Sequence, residues 1–241
     1  MRALPVVLIA TLALASGPLL AAQDKARADA QDGTGQSQPE STTSTQAAAD
    51  AIPEPAAAGA PTALPEDWNL LHGLVRHCQQ AFAGRVATNK TPDGPDPAWQ
   101  GEPVVLNLRA CPPGGVIIAI AVGEDRSRTM VLRQQSADQL SLRHLRHNDE
   151  GQPQPVSDFG GFSAEGSEPR KAVFQANDIS RDLFTANGQA ARNNSTWTLA
   201  MPDADTLVYE QDSDAGTLRL EFDLGKPVTQ PALPWVEGAV R

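Results

Sequence analysis

Positive charge is scarce in this sequence. Its 241 residues hold 19 Lys and Arg against 29 Asp and Glu, a formal net charge of −10 at pH 7. No stretch is basic enough to neutralise a run of phosphates, so no nucleic acid is expected as a partner. Cysteine is rarer still, with Cys78 and Cys111 alone. Neither they nor a third His supports a zinc set around His144 and His147. On a strand, residues three apart point to opposite faces, so that pair could not easily share one ion, and no metal is expected. Signature loops are missing too: there is no Walker loop, no Rossmann glycine pattern and no haem attachment pair, and nothing calls for a cofactor. Gly161-Phe162-Ser163-Ala164-Glu165 lacks the second glycine of a nucleophile elbow. Acidic pairs such as Asp203 with Asp205 and Asp212 with Asp214 fall where hairpin turns are expected, and turn chemistry accounts for them.

A long apolar run occurs at the N-terminus. Met1 and Arg2 precede Ala3 to Ala15 without a charge, and Leu20-Ala21-Ala22 leads into polar Gln23-Asp24-Lys25. A positive start, a short apolar core and small residues at the junction make residues 1–22 a secretory signal, cleaved near Ala22. Thr11, Ser16, Gly17 and Pro18 weaken the rival reading of an uncleaved anchor, and no Cys stands at the junction to carry a lipid. The mature form is therefore expected to have no integral membrane domain and to reside in the periplasm or outside the cell. Residues 23–64 are rich in Ala, Pro, Ser, Thr and Gln and hold almost no large apolar side chain. Such a segment cannot bury enough surface to offset its ordering entropy, which makes it a disordered linker. In an oxidising compartment Cys78 and Cys111 are expected to pair, adding roughly 3 to 4 kcal/mol in the chain-entropy view.

Residues 65–241 read as one β-rich domain. Trp68, Leu71, Val75, Cys78 and Phe82 recur at helical spacing, with Gly84 placed to stop the helix. Two strands follow, Val104 to Ala110 and Gly115 to Val122, around Cys111-Pro112-Pro113-Gly114. Pairing Leu108 with Ile118, Leu106 with Ile120 and Val104 with Val122 makes one face wholly aliphatic. The other face carries Asn107, Ala119 and Ala121 and leaves room for the helix, stapled there by the disulfide. A second hairpin runs from Arg126 to Arg133 and from Gln139 to Arg146. Matching apolar to apolar sets Leu132 opposite Leu140 and Met130 opposite Leu142. Weaker strands are expected at Pro155 to Phe159 and Lys171 to Phe174. Asn177 starts a short helix ending near Gly188. Strands near Thr196 to Met201, Thr206 to Gln211 and Thr217 to Leu224 complete a meander. Sequential hairpins without long crossovers predict a mainly β fold: an antiparallel curved sheet or lipocalin-like barrel, with one N-terminal helix packed outside and a short late helix. A β-sandwich is the second choice.

The proposed hairpin register gathers Arg126, Arg128, His144 and Arg146 on the inward face. It sets Arg128 opposite His144 and Arg126 opposite Arg146. Inward cations at a barrel mouth suit a carboxylate, phosphate or sulfate. The plainer reading is that they sit at strand ends and pair with Glu124, Asp125 or Asp149. Catalysis would need His144 to be positioned by a carboxylate such as Asp149 or Asp158.

Several blocks resemble a family of secreted bacterial β-rich proteins with no established activity. They are Ser127-Arg128-Thr129, Leu142-Arg143-His144 followed by Asp149-Glu150-Gly151, Phe159-Gly160-Gly161, and Glu221-Phe222-Asp223-Leu224 with Lys226-Pro227-Val228. The resemblance departs at Met130 and Gln175, where such proteins have an aromatic and a proline. It implies that the arginine and histidine positions lie in a patterned region. Three functional readings result: an exported binding module for a small anionic ligand or an envelope component; a hydrolase or lyase using His144 with a nearby carboxylate; and an inhibitor or immunity-type protein acting through its surface.

Overall fold

The computed structural model describes residues 69–164 and 168–236. The signal of residues 1–22 and the linker of residues 23–64 lie outside the described residues. Ten antiparallel strands close into a barrel in which each strand pairs with its neighbours in sequence and the first pairs with the last. They are β1 (Ala81–Lys90), β2 (Val104–Ala110), β3 (Gly115–Val122), β4 (Asp125–Gln134), β5 (Leu140–Arg146), β6 (Phe159–Ser163), β7 (Lys171–Ala176), β8 (Thr196–Ala200), β9 (Thr206–Ser213) and β10 (Gly216–Val228). Helix α1 (Leu70–Val75) precedes them, and α2 (Asp178–Ala186) lies between β7 and β8.

Alternation along the strands decides which side is core. In β10, Leu218, Leu220, Phe222 and Leu224 are buried in one apolar cluster with Leu106, Ile118, Leu132, Leu142, Phe174 and Trp197. Arg219 and Glu221 alternate with them and are ion-paired, Arg219 also reaching Glu210 on β9. Apolar inside and charged outside is the reverse of a barrel that faces lipid. The β2–β3 register is the expected one, with Val104 opposite Val122, Leu106 opposite Ile120 and Leu108 opposite Ile118.

Strand β1 replaces the second half of the expected helix. The helix proper spans Leu70–Val75, capped by the Asn69 side chain, which accepts from the His72 amide at 3.0 Å. Gln79, at φ 63°, turns the chain, and Ala81 opens a strand that closes the barrel between β2 and β10. Gly84 is consequently a wall residue and not a helix stop. It pairs with Phe222, and a Cβ there would lie 2.3 Å from the Phe222 ring. The large ring occupies the space that the glycine leaves.

The N-terminal helix stands at one end of the barrel rather than along its outer face. Leu70, Leu71 and Leu74 are buried in the same cluster as the inward-facing strand residues. The Cys78–Cys111 disulfide forms, tying the α1–β1 turn to the β2–β3 turn at that closed end. The outer face that carries Asn107, Ala119 and Ala121 is buried, and the segment tied down across it is the C-terminal one. Gln230 bonds to the Gln79 carbonyl and to Arg109, while the Trp235 amide donates to the Arg126 carbonyl at 3.2 Å. The small residues that leave room there thus accommodate a strap of extended chain. Strand β6 begins at Phe159, where the expected Pro155 to Phe159 strand ended. Gly161 permits its close pairing, since a Cβ there would fall 1.6 Å from the Gln175 carbonyl oxygen.

Candidate functional site

The end of the barrel opposite α1 is open. A cavity of about 340 Å³ enters it, walled by Ile120, Met130, Val156, Phe159 and Leu218 and lined by Arg128, His144, Arg146, Arg192 and Tyr209. The β4–β5 hairpin supplies the centre of the site. Its register differs by two residues from the apolar-matching one: Leu132 faces Leu142, Met130 faces His144, and Arg128 faces Arg146. The turn decides this, because Gln135 bonds to the Gln139 carbonyl and the ladder continues through Gln134 and Leu140. A shift of two preserves side-chain faces, so Arg128, His144 and Arg146 remain inward.

Arg126 does not join them. Its guanidinium donates to the Leu233 carbonyl at 3.0 Å and lies near the Trp235 ring, 6.0 Å from its centroid. It anchors the C-terminal strap. His147 is buried but is not part of the cavity wall, in keeping with its opposite parity to His144.

Each remaining cation has a distinct setting. Arg128 is 7% exposed, donates to Asp125, and rests on the face of Trp99 at 4.7 Å. Trp99 ends a 3-10 turn (Pro97–Trp99) in the β1–β2 connection. Paired hydrogen bonds between Asn89 and Asp96, 3.0 and 2.8 Å, hold that connection. Arg192 follows α2 on a second 3-10 turn (Ala190–Arg192). Its side chain donates to Gln189 at 2.8 Å and lies 4.3 and 4.7 Å from the Phe184 and Phe159 rings. Helix α2 is fixed for this task by Ser180, whose hydroxyl donates to the Gly160 carbonyl and accepts from the Gly160 amide, both at 2.8 Å. Arg146 has no side-chain hydrogen bond or ion pair to any described residue. Burial, with Arg128 opposite, lowers its pKa to about 10, against the attraction of Asp125 and Tyr209. Like charges facing each other across strands are destabilising.

Beneath the arginines lies a neutral pair. His144 Nε2 and the Tyr209 hydroxyl are hydrogen-bonded at 3.1 Å. The imidazole stacks on Phe159, with centroids 5.0 Å apart and planes at 9°, and packs against Trp197 at 4.9 Å. Burial pushes the His144 pKa down to about 3, against a favourable contact with the Phe159 backbone and helped by the charges of Arg192 and Arg146. Burial pushes the Tyr209 phenol up. Imidazole and phenol are thus both uncharged at neutral pH. The expected carboxylate partner is elsewhere: Asp158 is held by Arg143 in a two-pronged pair at 2.7 and 2.6 Å.

Sequence reasoning missed Tyr209, Arg192 and Trp99. One signal was available for the first, since Tyr209 is the single tyrosine of the chain and alternates inward with Leu207 in its strand. Arg192 and Trp99 come from connections, where no periodicity marks a side chain's direction. Among the described residues no group of three or more His, Cys, Asp and Glu is placed to hold a metal ion. Comparison with family models, with curated proteins and with solved structures found no match.

Proposed function

We propose that this chain is an exported binding module whose barrel takes a small anionic ligand through its open end. One observation carries the reading. Arg146 and Arg192 line the cavity with no carboxylate bonded to either among the described residues. Cations withdrawn from water are ordinarily paired with carboxylates, and these two half-buried guanidiniums have none bonded to them, which favours a partner that arrives from outside. It is notable that this occurs in a chain of net charge −10, where a carboxylate partner would have been easy to supply. The His144–Tyr209 pair adds a neutral hydrogen-bonding floor, and among the described residues no carboxylate is hydrogen-bonded to the imidazole.

The Cys78–Cys111 disulfide supports an oxidising compartment. Together with the signal read from the sequence, it supports the periplasm or the exterior as the place of work, and the resemblance to secreted β-rich proteins agrees with it. The direct test is native mass spectrometry of the protein isolated from its own envelope fraction. The expected result is a mature chain beginning at Gln23 with an anionic molecule that is lost from the Arg146→Ala and Arg192→Ala variants. A full-length chain, or a molecule retained equally by both variants, would overturn the respective part.

A further inference from the structure

We propose that the ligand is a dianion of the phosphate-monoester type carrying an apolar or aromatic body. The inference rests on the anion-binding reading and narrows it. The charges around the cavity make the first part of the case. Lys90, Arg128, Arg146 and Arg192 bring four positive charges to the cavity, and Asp96 together with Asp125, which pairs with Arg128 and also attracts Arg146, brings two negative ones. The balance is two positive charges, and Arg146 on β5 and Arg192 in the turn after α2 have no carboxylate bonded to them among the described residues. A singly charged carboxylate or sulfate ester would leave one positive charge uncompensated among these half-buried guanidiniums, which is costly. A dianion balances both.

Shape makes the second part. Tyr209 lies within the electrostatic reach of Arg146, Arg192 and Arg128, so the phenol and the guanidiniums converge on one region. A monoester head has three terminal oxygens, enough to engage two planar guanidinium forks and a phenol. The cavity of about 340 Å³ is far larger than such a head alone, and its remaining wall is Trp99, Ile120, Met130, Val156 and Leu218. Pockets that combine an apolar wall with a few convergent polar groups orient an apolar body by its charged end.

The charged and titratable groups lining the cavity are Lys90 on β1, Asp96 in the β1–β2 connection, Arg128 on β4, which is paired with Asp125, His144 and Arg146 on β5, Arg192, and Tyr209 on β9. Strands β3, β6 and β10 present Ile120, Phe159 and Leu218. His144 titrates at about 3 and Arg146 at about 10, both outside the range between pH 5 and 7.5. A phosphate monoester, by contrast, takes its second charge near pH 6. Any change in affinity within that range therefore reports the charge of the ligand.

The test is calorimetric titration of the mature chain with 1-naphthyl phosphate, 1-naphthyl sulfate and inorganic phosphate at pH 5 and 7.5. The naphthyl phosphate is expected to bind about tenfold more tightly at the higher pH, following its second ionisation. The sulfate, a monoanion throughout, is expected to bind at least about tenfold more weakly at pH 7.5 and without pH dependence. Arg146→Ala and Arg192→Ala should each weaken the phosphate ester at least about tenfold, as expected for a lost charge-assisted pair, with Arg146→Ala melting at or above the wild-type temperature and Arg192→Ala still unfolding cooperatively. Equal affinity for sulfate and phosphate esters at both pH values would overturn the dianion and leave the anion site standing. Inorganic phosphate binding as tightly as its ester would overturn the apolar body. No binding by any probe, or binding indifferent to both substitutions, would overturn the site itself.

Discussion

The two ends of the barrel are built on opposite terms. Each holds a cavity of about 340 Å³, so size does not distinguish them. At the closed end, Leu70, Leu71 and Leu74 of α1 sit in the barrel's apolar cluster, the disulfide ties two turns together, and Lys171 at the cavity wall has Glu168 near it. At the open end, Arg128 and Arg146 face each other across a strand pair, and Arg146 and Arg192 have no carboxylate bonded to them among the described residues. One end buries its apolar groups and sets the one Lys that lines its cavity beside a carboxylate. The other keeps positive charge unmatched at a cost in stability, and this imbalance rather than the volume marks it as a site.

Four perturbations should separate the ends, from the largest effect to the smallest. Leu74→Ala removes a fully buried side chain of the closed end and should cost about 3 to 5 kcal/mol. Urea unfolding would show it, while anion titration of the folded fraction should be unchanged. Replacing Cys78 and Cys111 together by alanine should cost roughly 3 kcal/mol, again with binding intact. A loss of affinity in either variant would mean that the ends are coupled.

Acid provides the third perturbation. His144 has a folded pKa of about 3 against an ordinary 6.5, so the unfolded chain binds the proton more readily. Its contribution to stability is fully present above pH 6.5 and is lost as the pH falls from there toward 3. Between pH 7.5 and 5 this one group should remove about 2 kcal/mol of stability. His144→Gln should flatten that part of the stability-pH curve; an unchanged slope would show that another group is responsible. The smallest effect has the opposite sign. Arg146→Met relieves the facing charges and should raise stability by about 0.5 to 1 kcal/mol, seen as a higher melting temperature, while abolishing anion binding.

Legibility followed the range of the interaction. The β2–β3 pairing was readable because large aliphatic residues share one face of both strands and Cys111-Pro112-Pro113-Gly114 turns between them. The β4–β5 pairing was readable in its faces but not in its register, because apolar matching admits both Leu132 with Leu140 and Leu132 with Leu142, and the turn chooses. Strand β1 was hidden: Val75, Cys78 and Phe82 continue a helical spacing, and only a residue from the far end of the chain, Phe222, explains Gly84. Of the four expected site residues, Arg128, His144 and Arg146 reach the cavity and Arg126 serves the C-terminal strap instead.

Alternation is a property of neighbouring residues, so the sequence by itself determined most of the strands other than β1, their inward faces and the presence of cations on one of them. The period of two also made those faces robust to an error of two in register. Closure of the barrel, the confrontation of Arg128 with Arg146, and the arrival of Trp99, Arg192 and Tyr209 at the same mouth were decided by tertiary structure. These depend on turns and on pairings between segments far apart in the chain, which leave no local period to read.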